Sequence, residues 1–487
     1  MKDKYIKTAV FGIFALFLIG CSEDFLDVES KENIAAEDRD ENFVPEDFVN
    51  GIYGMFTEWP YAFSYLGITE IISDNGDKGA NPGGTGADKH FLDDLNFTST
   101  VPSVEAMYTH WYKTIGRANY AIAYSELEST DAEMQKRIIG EARFLRAYTY
   151  FFLVRSFGAV HIQGEITFEN GEPVIDPEAD LSVRNSKEEV YNYIKQDLLY
   201  AMDALPAKSE YSTANLGRAT NGAATALLSK VHLYQENWAD ALKYADDVIS
   251  SGEYSLEPNY EDIWREYSEN GSESIFEIQA RGEPIAHGVQ QYSTTQGARG
   301  TSGWGWGFNN PSQSLVDAFD AQGDEIRKNA TIIFAGEILW DGREVSSSVE
   351  NPRYNEKAYS SANAGAGDGD KNIRVIRLAE VYLIKAEAAN ELGQTDVAET
   401  ALNKVRNRVD LNNVTGLGQA ELRKQIWEER RLELAFEHDR WFDLIRTGQA
   451  EAAMAADGKD FKEKHNLFPI PEDQLIQTPD MPQNPGW

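Results

Sequence analysis

Two tryptophans in a glycine-rich segment are the side chains of this chain best suited to binding a ligand. Trp304 and Trp306 stand in the segment GWGWGF, where they alternate with Gly303, Gly305 and Gly307. Because glycine contributes backbone freedom and little else, helix packing does not account for large aromatic side chains here. Indole faces stack on the apolar C–H faces of sugar rings, and in an extended segment both side chains would share one face. The alternative is that one or both tryptophans fill the protein interior.

Residues 56–74 form a second candidate wall of such a site. The segment reads FTEWPYAFSYLGITEIISD and contains Trp59 and Tyr61, while Asp74 and Asn75 open a glycine-rich stretch. Polar groups at that position would bond to ligand hydroxyls. Alternating aromatic residues are also typical of a half-buried strand, in which one set would lie in the core. Asp74 is equally typical of a residue that initiates a turn.

Two further candidates complete the predicted binding site. Tyr292 lies upstream of the tryptophans in the same loop, and Arg377 directly precedes the segment LAEVYL. Tyr292 would add an aromatic ring, and Arg377 would donate hydrogen bonds to a polar ligand. A buried ion pair is the alternative role for Arg377.

The sequence contains no recognisable catalytic or cofactor-binding motif. We find no GxSxG, HExxH, GxGxxG or phosphate-binding GK[ST] pattern. The chain has one cysteine, so it forms no internal disulfide, and its seven histidines are scattered. A pair of catalytic carboxylates cannot be singled out among 80 acidic residues. We therefore predict a binding protein rather than an enzyme, with no cofactor and no metal.

The amino terminus has the pattern of a lipoprotein signal peptide. Lys2, Lys4 and Lys7 precede an uncharged, mostly apolar run that ends in LIGC at Cys21. The run is too short to cross about 30 Å of hydrocarbon as a stable helix, which is typical of a signal-peptide core. We predict cleavage after residue 20 and lipid attachment to Cys21. The alternative is a buried core cysteine.

Composition limits the classes of partner. The chain of 487 residues has a formal net charge of −35, and 42% of its residues are hydrophobic. Nucleic acids and anionic lipids require a basic surface, so the charge argues against both. The hydrophobic content is enough for a large core, in one domain or in several.

The elements that must hold these residues are mainly helices. Apolar spacing predicts helices over about residues 104–157, 187–250 and 374–447. Residues 219–249 and 376–405 each read as two helices joined by a short turn, and the two blocks match at an offset of 156 residues. This pattern is similar to tetratricopeptide-type hairpins. Trp427, Leu434, Trp441 and Ile445 predict one continuous apolar stripe within residues 422–446.

Long insertions interrupt these helices. Residues 73–90, 290–311 and 360–372 are rich in glycine and polar residues, and we predict that they are not helical. We place the ligand face on loops at about residues 56–100, 270–311 and 340–372.

Several segments, in the same order, resemble the SusD/RagB family of outer-membrane nutrient-binding lipoproteins. They are CSEDFLD at residues 21–27, GEARFLRAYTYFFLVRSFG at 140–158, IRVIRLAEVYLIKAEAANELG at 373–393, ERRLELAFEHDRWFDLIRTG at 429–448, and the closing LFPIPEDQL and QNPGW. Because they extend from residue 21 to residue 487, the resemblance covers almost the whole chain.

The resemblance implies a predominantly α-helical fold, a tetratricopeptide-like scaffold whose loop insertions form the ligand face, in a single domain over residues 21–487. It implies a lipid-anchored, cell-surface protein of the outer membrane that binds oligosaccharide or polysaccharide. It also implies a partner, a TonB-dependent, SusC-like barrel transporter on which the lipoprotein sits as a hinged lid. There are three alternatives: peptide capture, as in the RagB branch, a glycoside hydrolase built on the same helices, and a purely structural adaptor.

Overall fold

The computed structural model describes residues 45–79, 83–128, 131–169, 172–174, 180–280, 288–361 and 369–487. Pro45–Phe168 and Pro173–Trp487 belong to one unit. The predicted signal peptide and Cys21 lie outside the described residues, so both stay predictions. None of the helices within the described ranges is long and apolar enough to cross a membrane.

Helices dominate the structure, as predicted. The longer ones are α1 (Pro45–Phe56), α2 (Ala87–Asp93), α3 (Pro102–Glu128), α4 (Ala132–Phe157), α5 (Lys187–Ala204), α6 (Asn221–Tyr234), α7 (Trp238–Ser250), α8 (Gln313–Gln322), α9 (Glu325–Thr331), α10 (Leu378–Glu391), α11 (Thr395–Arg408), α12 (Gln419–Glu433), α13 (Arg440–Arg446) and α14 (Ala450–Ala456). Shorter helical segments are Trp59–Ala62, Ser64–Leu66, the π-helical Gly67–Ile71, Tyr292–Gln296 and Glu472–Gln477. Single 3-10 turns are Lys208–Glu210, Thr213–Asn215, Tyr260–Trp264, Glu266–Ser268, Val289–Gln291 and Glu463–Asn466.

The strands are short and form two-stranded sheets. They are β1 (Gly76–Asp77), β2 (Thr167–Glu169), β3 (Glu172–Val174), β4 (Ser274–Ile278), β5 (Asn310–Pro311), β6 (Ile332–Phe334), β7 (Arg353–Asn355) and β8 (Ile373–Arg377). Sheet partners are β1 with β5, β2 with β3, β4 with β8, and β6 with β7. The β1–β5 pair is antiparallel and aligns Gly76 with Pro311, so it joins two of the predicted ligand loops.

The long helices pack in series. Helices α3, α4, α5, α6, α7, α10 and α11 each contact the next in this order. Helix α4 is at the centre of the core, and almost every side chain from Ile138 to Phe157 is buried. At Gly140, a Cβ atom would lie 2.9 Å from Cβ of Ala204 and 3.0 Å from Cδ2 of Leu205. Glycine therefore permits the close approach of α4 and α5.

Side-chain caps begin several of these helices. Asp131 accepts hydrogen bonds from the backbone N–H groups of Glu133 and Met134 at the start of α4. Ser186 and Glu189 form a reciprocal capping box at the start of α5. Such caps satisfy N–H groups that have no partner within the helix. The Ser186 cap fixes the start of α5 at Lys187, where the sequence predicted it.

The two predicted hairpins are helix pairs. The first is α6 with α7 and the second is α10 with α11, and α7 packs against α10. The alanines at equivalent positions, Ala245 and Ala401, are both buried. Small residues at such positions allow two helices to approach closely. The tetratricopeptide relationship itself stays a prediction.

The predicted stripe of Trp427, Leu434, Trp441 and Ile445 is interrupted. Helix α12 ends at Glu433 and α13 begins at Arg440. Between them, Phe436 and His438 adopt positive φ angles of 62° and 72°, which an α-helix excludes. The turn inserts the intervening polar side chains into the interior, so tertiary contacts override the helical spacing here.

Two of the stretches predicted to be loops contain helix. Residues 87–90 belong to α2, and Tyr292–Gln296 is a helical turn whose side chains are all buried. The Tyr292–Gln296 turn follows directly on the 3-10 turn Val289–Gln291. At Tyr292–Gln296 the prediction was wrong because burial of Tyr292 and its neighbours outweighs their weak helical propensity.

Candidate functional site

Three aromatic side chains form a contiguous, partly exposed surface, which we call the aromatic patch: Trp59, Phe63 and Trp306. The ring of Trp59 stacks on Phe63 at a centroid distance of 5.3 Å and contacts Trp306 at 5.8 Å. Trp59 is 38% exposed, and the other two rings are half-buried. The fold therefore brings together Trp59 and Trp306, two predicted ligand contacts that are 247 positions apart in the printed sequence.

A helical turn orients the first half of the patch. Residues Trp59–Ala62 and Ser64–Leu66 are helical, not the half-buried strand that the alternating aromatics suggested. Residues four apart share a face in such a turn, so Trp59 and Phe63 point outward together. Tyr61 and Tyr65 share the opposite face, where they are 0% and 2% exposed.

Tyr61 is therefore a core residue, and its predicted role as a ligand contact is corrected. Its hydroxyl accepts a hydrogen bond from Nε1 of Trp111 at 3.3 Å. Burial raises the pKa of Tyr61 well above its ordinary value. Phe63, which was not among the predicted ligand contacts, takes its place beside Trp59. The spacing of four residues between Trp59 and Phe63 would indicate this neighbourhood if the segment were predicted as a helix.

Backbone hydrogen bonds hold the second half of the patch. The N–H of Trp306 donates to the carbonyl of Thr294 at 2.9 Å, and that of Gly307 donates to Gly297 at 3.0 Å. A Cβ atom on Gly305 would lie only 2.4 Å from Cα of Gly297. Only glycine therefore fits between these two segments. The glycine-rich loop is fixed against its neighbour, so Trp306 is presented by a rigid backbone.

Trp304 points away from the patch. Its side chain is 5% exposed and packs with Tyr359 at a ring-centroid distance of 5.7 Å. The guanidinium of Arg343 lies 4.9 Å from the Trp304 ring. The expectation that Trp304 and Trp306 share one face is wrong, because the bonded loop directs one indole inward and the other outward. Trp304 fills a small apolar cluster, which was the alternative reading for it.

Asp74 and Asn75 anchor the start of the glycine-rich loop and face the interior. Both oxygens of Asp74 accept hydrogen bonds from Arg440, each at 2.7 Å, and Oδ1 of Asn75 accepts one from Arg431 at 2.9 Å. Burial alone would raise the pKa of Asp74, but the charge and hydrogen bonds of Arg440 outweigh it and hold the pKa well below its ordinary value. Both side chains are at most 2% exposed, so the predicted ligand contacts are corrected to structural anchors.

Arg377 is part of a buried ionic cluster. Its Nη1 donates to Glu273 at 2.8 Å and to Glu433, and its Nε donates to Glu437 at 2.7 Å. The residue is 1% exposed. Its predicted ligand contact is corrected, because three carboxylates already surround the guanidinium.

Tyr292 is also buried, behind the loop that carries the patch. Its hydroxyl is 3.0 Å from Nε2 of His438, and Nδ1 of the same imidazole is 2.9 Å from Oγ1 of Thr69. Burial lowers the pKa of His438 to about 3, so the ring stays neutral at ordinary pH. Tyr292 therefore supports the site from within, and its predicted contact with ligand is corrected.

A buried lysine supports the inner side of the patch. Nζ of Lys89 lies 3.6 Å from the ring centroid of Phe63 and forms an ion pair with Asp88 at 3.1 Å. Burial is the main cause that lowers the pKa of Lys89. The cation–π contact fixes one face of Phe63. No spacing rule in the sequence indicated this contact.

Among the described residues, no three His, Cys, Asp or Glu side chains are grouped in a way that could hold a metal ion. The aromatic patch itself consists of ring faces on a backbone that is held by hydrogen bonds. Its exposed ring faces are flat and apolar, which suits stacking on a ligand.

Comparison with known proteins extends this description. Residues 344–487 match the profile of the SusD family, and residues 24–233 match a profile described as starch-binding associating with outer membrane. SusD-like protein P2 of Formosa agariphila is 28% identical, over 98% of this chain and 99% of its own length. Starch-binding protein SusD of Bacteroides thetaiotaomicron is 25% identical, over 81% of each chain.

Solved structures share the fold. A laminarin-binding SusD-like protein superposes with a TM-score of 0.76 at 27% identity, over 91% of this chain and 99% of the other. A SusD homologue from Bacteroides thetaiotaomicron superposes with a TM-score of 0.78 at 24% identity, over 93% of this chain and 100% of the other. The helical fold therefore agrees with these structures along nearly its whole length.

Proposed function

Because this chain belongs to the SusD/RagB family, we propose that it is a cell-surface lipoprotein that binds an oligosaccharide or polysaccharide on its aromatic patch and delivers it to a TonB-dependent, SusC-like outer-membrane transporter. The observation that carries the proposal is the contact between Trp59 and Trp306 at 5.8 Å on a partly exposed surface. The lipid anchor would be Cys21.

Two adjacent indoles suit a sugar chain better than a small polar solute. If each indole buries about 100 Å² of apolar area, bookkeeping at about 25 cal/mol per Å² gives around 2.5 kcal/mol per indole before ordering costs. Delivery requires release as well as binding. We therefore expect dissociation constants of about 1 mM to 1 μM, or roughly −4 to −8 kcal/mol.

The relatives support a glycan as the ligand class. One similar structure is named as laminarin binding, and one relative is named as starch-binding. We propose that this chain likewise captures a polysaccharide and releases it unchanged. The rival functions, peptide capture and glycan hydrolysis, predict different outcomes in the experiment that follows.

Calorimetric titration with laminarin and with starch oligosaccharides tests the proposal. The double variant Trp59→Ala/Trp306→Ala should lose measurable binding, and its melting temperature should change little because both rings are partly exposed. Trp340→Ala is the matched control, since Trp340 is 44% exposed and lies outside the patch. Normal glycan binding by the double variant would contradict the assignment of the site.

Chromatography of the same titrated samples separates capture from catalysis. We expect the oligosaccharides to keep their length after prolonged incubation. Shortened products would support the hydrolase, whereas binding of a tryptic peptide mixture without any glycan binding would support peptide capture.

A further inference from the structure

A cavity lies among the helix ends of the scaffold. Its volume is about 340 Å³, and its aromatic walls include Trp238 at the start of α7 and Trp427 of α12. It forms where α6 ends, α7 begins and α13 ends, beside the last two turns of α10. Small-ligand pockets range from about 300 to 1,000 Å³, so this cavity is large enough for a small molecule.

The charged groups of the cavity are arranged in pairs. Arg446 donates to both oxygens of Glu387 at 2.6 and 2.8 Å, and Nε1 of Trp427 donates to the same carboxylate at 3.0 Å. Such forked pairs hold both partners in one plane. Trp427 is thereby fixed in orientation, and its indole becomes a stable wall.

The ion pair between Arg423 and Glu391 leaves hydrogen-bonding capacity for a ligand. Among the described contacts, Arg423 donates from Nε at 2.6 Å and from Nη2 to the carboxylate of Glu391. A guanidinium has five N–H donors, so the donors on Nη1 remain. The side chain of Arg423 is 31% exposed and lines the cavity.

The pairing also limits the charge of the ligand. Arg423 pairs with Glu391, and Arg446 pairs with both Glu387 and Asp443. The exposed Glu236 adds a further negative charge to the wall. The cavity therefore has no excess positive charge, and the whole chain carries a formal charge of −35. An anion would be repelled on both grounds.

We propose that this cavity is a second binding site, for a neutral saccharide of one or two rings. The two indoles would contact the apolar faces of the sugar, and the planar Arg423–Glu391 pair, whose side chains are 31% and 13% exposed, would bond to its hydroxyls. The site shares no residue with the aromatic patch, so the inference does not depend on the function proposed for the patch.

Saturation-transfer NMR on the Trp59→Ala/Trp306→Ala variant tests the cavity alone. Maltose, cellobiose and laminaribiose are the neutral probes, and glucuronate is the anionic one. We expect at least one disaccharide to bind, and glucuronate to bind at least about tenfold more weakly. Absence of binding by all three disaccharides would overturn the proposal, and equal binding of glucuronate would overturn the neutral ligand class.

Two further substitutions in the same background locate the binding. Trp238→Ala removes one aromatic wall and should weaken disaccharide binding about tenfold or more, which corresponds to about 1.4 kcal/mol. Thr447→Phe instead fills the cavity without removing a wall, so it tests the site even if Trp238→Ala impairs folding. Trp340→Ala is the control and should bind as the background does. Undiminished binding by the Thr447→Phe variant would overturn the proposal.

Discussion

Trp304 and Trp306 are two residues apart but have different physical environments. Trp304 is 5% exposed and fills an apolar cluster with Tyr354 and Tyr359, whereas Trp306 lies at the surface beside Trp59. The same substitution should therefore affect different properties at the two positions. One should change stability, and the other should change binding.

The two single alanine variants test this difference. Trp304→Ala should lower the free energy of unfolding by about 3 kcal/mol or more, the usual cost of removing a large buried aromatic side chain. Trp306→Ala should leave stability nearly unchanged and weaken glycan binding. Urea unfolding and calorimetric titration measure the two effects. Equal stability of both variants would contradict the assignment of Trp304 to the interior.

The buried carboxyl group of Glu70 should make the stability of the protein depend on pH. Its side chain is fully buried, and its Oε1 accepts a hydrogen bond from the backbone N–H of His438. Burial is the main cause that raises the pKa of Glu70 to about 8, and the nearby charge of Asp439 raises it further. In the unfolded chain the carboxyl titrates near its ordinary pKa of about 4.3.

The titration of Glu70 should therefore lower the free energy of unfolding as pH rises. Between about pH 5 and pH 8 the unfolded chain loses a proton that folded Glu70 keeps, and each pH unit in that window favours unfolding. Glu70→Gln removes the titration. Urea unfolding should show that the free energy of unfolding of the variant, relative to that of the wild type, is higher at pH 8 than at pH 5. A pH-independent difference between the two proteins would show that Glu70 is ionised in the folded state.

At the scale of elements, two glycines in long helices provide a matched pair. Gly140 of α4 faces α5, and a Cβ there would lie 2.9 Å from Cβ of Ala204. Gly116 of α3 has only Oε1 of Gln163 at 3.9 Å from the position of its Cβ. Gly140→Ala should destabilise the protein because the helices must separate. Gly116→Ala should stabilise it by about 0.5–1 kcal/mol, since alanine favours the helix.

Thermal unfolding of the two variants measures both changes. If Gly140→Ala were as stable as Gly116→Ala, the close packing of α4 on α5 would not be a constraint. The comparison cancels the intrinsic helix preference of alanine, which is the same at the two positions, so the remaining difference reports the helix contact.

Elements were predictable from the sequence where local pattern decides the structure. Apolar spacing predicted helix over about residues 104–157, and α4 ends at Phe157 as predicted. The same spacing failed at Leu434, because the side chains that follow it form buried ion pairs with distant partners such as Arg377 and Arg155. Such partners are separated by long stretches of sequence, and no local pattern encodes them.

The residues of the proposed site were predictable in type but not in geometry. Trp59 and Trp306 were predicted as candidate ligand contacts, and the structure places them in contact with each other. Which of the two loop tryptophans faces outward depends on the backbone bonds from Trp306 to Thr294 and from Trp304 to Ala298. Asp74 and Arg377 have the residue types of ligand contacts, but burial with opposite charges gives them structural roles instead.

At the scale of the whole molecule, anchoring to the membrane and binding to the proposed transporter can be tested separately. A single acyl chain gives only marginal membrane binding, so stable anchoring at Cys21 requires more than one chain. The proposed transporter contact is different, because it is a protein surface. A lid must remain attached through many opening cycles, so the interface should exceed the roughly 1,000 Å² expected of a specific contact.

We therefore predict that the protein co-purifies with its transporter from mild detergent without any glycan present. The Cys21→Ala variant, produced in the same cells with its transporter, should no longer incorporate labelled fatty acid. If that variant reaches the cell surface, it should still co-purify, because detergent removes the membrane and leaves only the protein interface. The Trp59→Ala/Trp306→Ala variant should also co-purify, since it alters ligand capture alone. A wild-type protein that always elutes alone with its transporter present would contradict the proposed partnership.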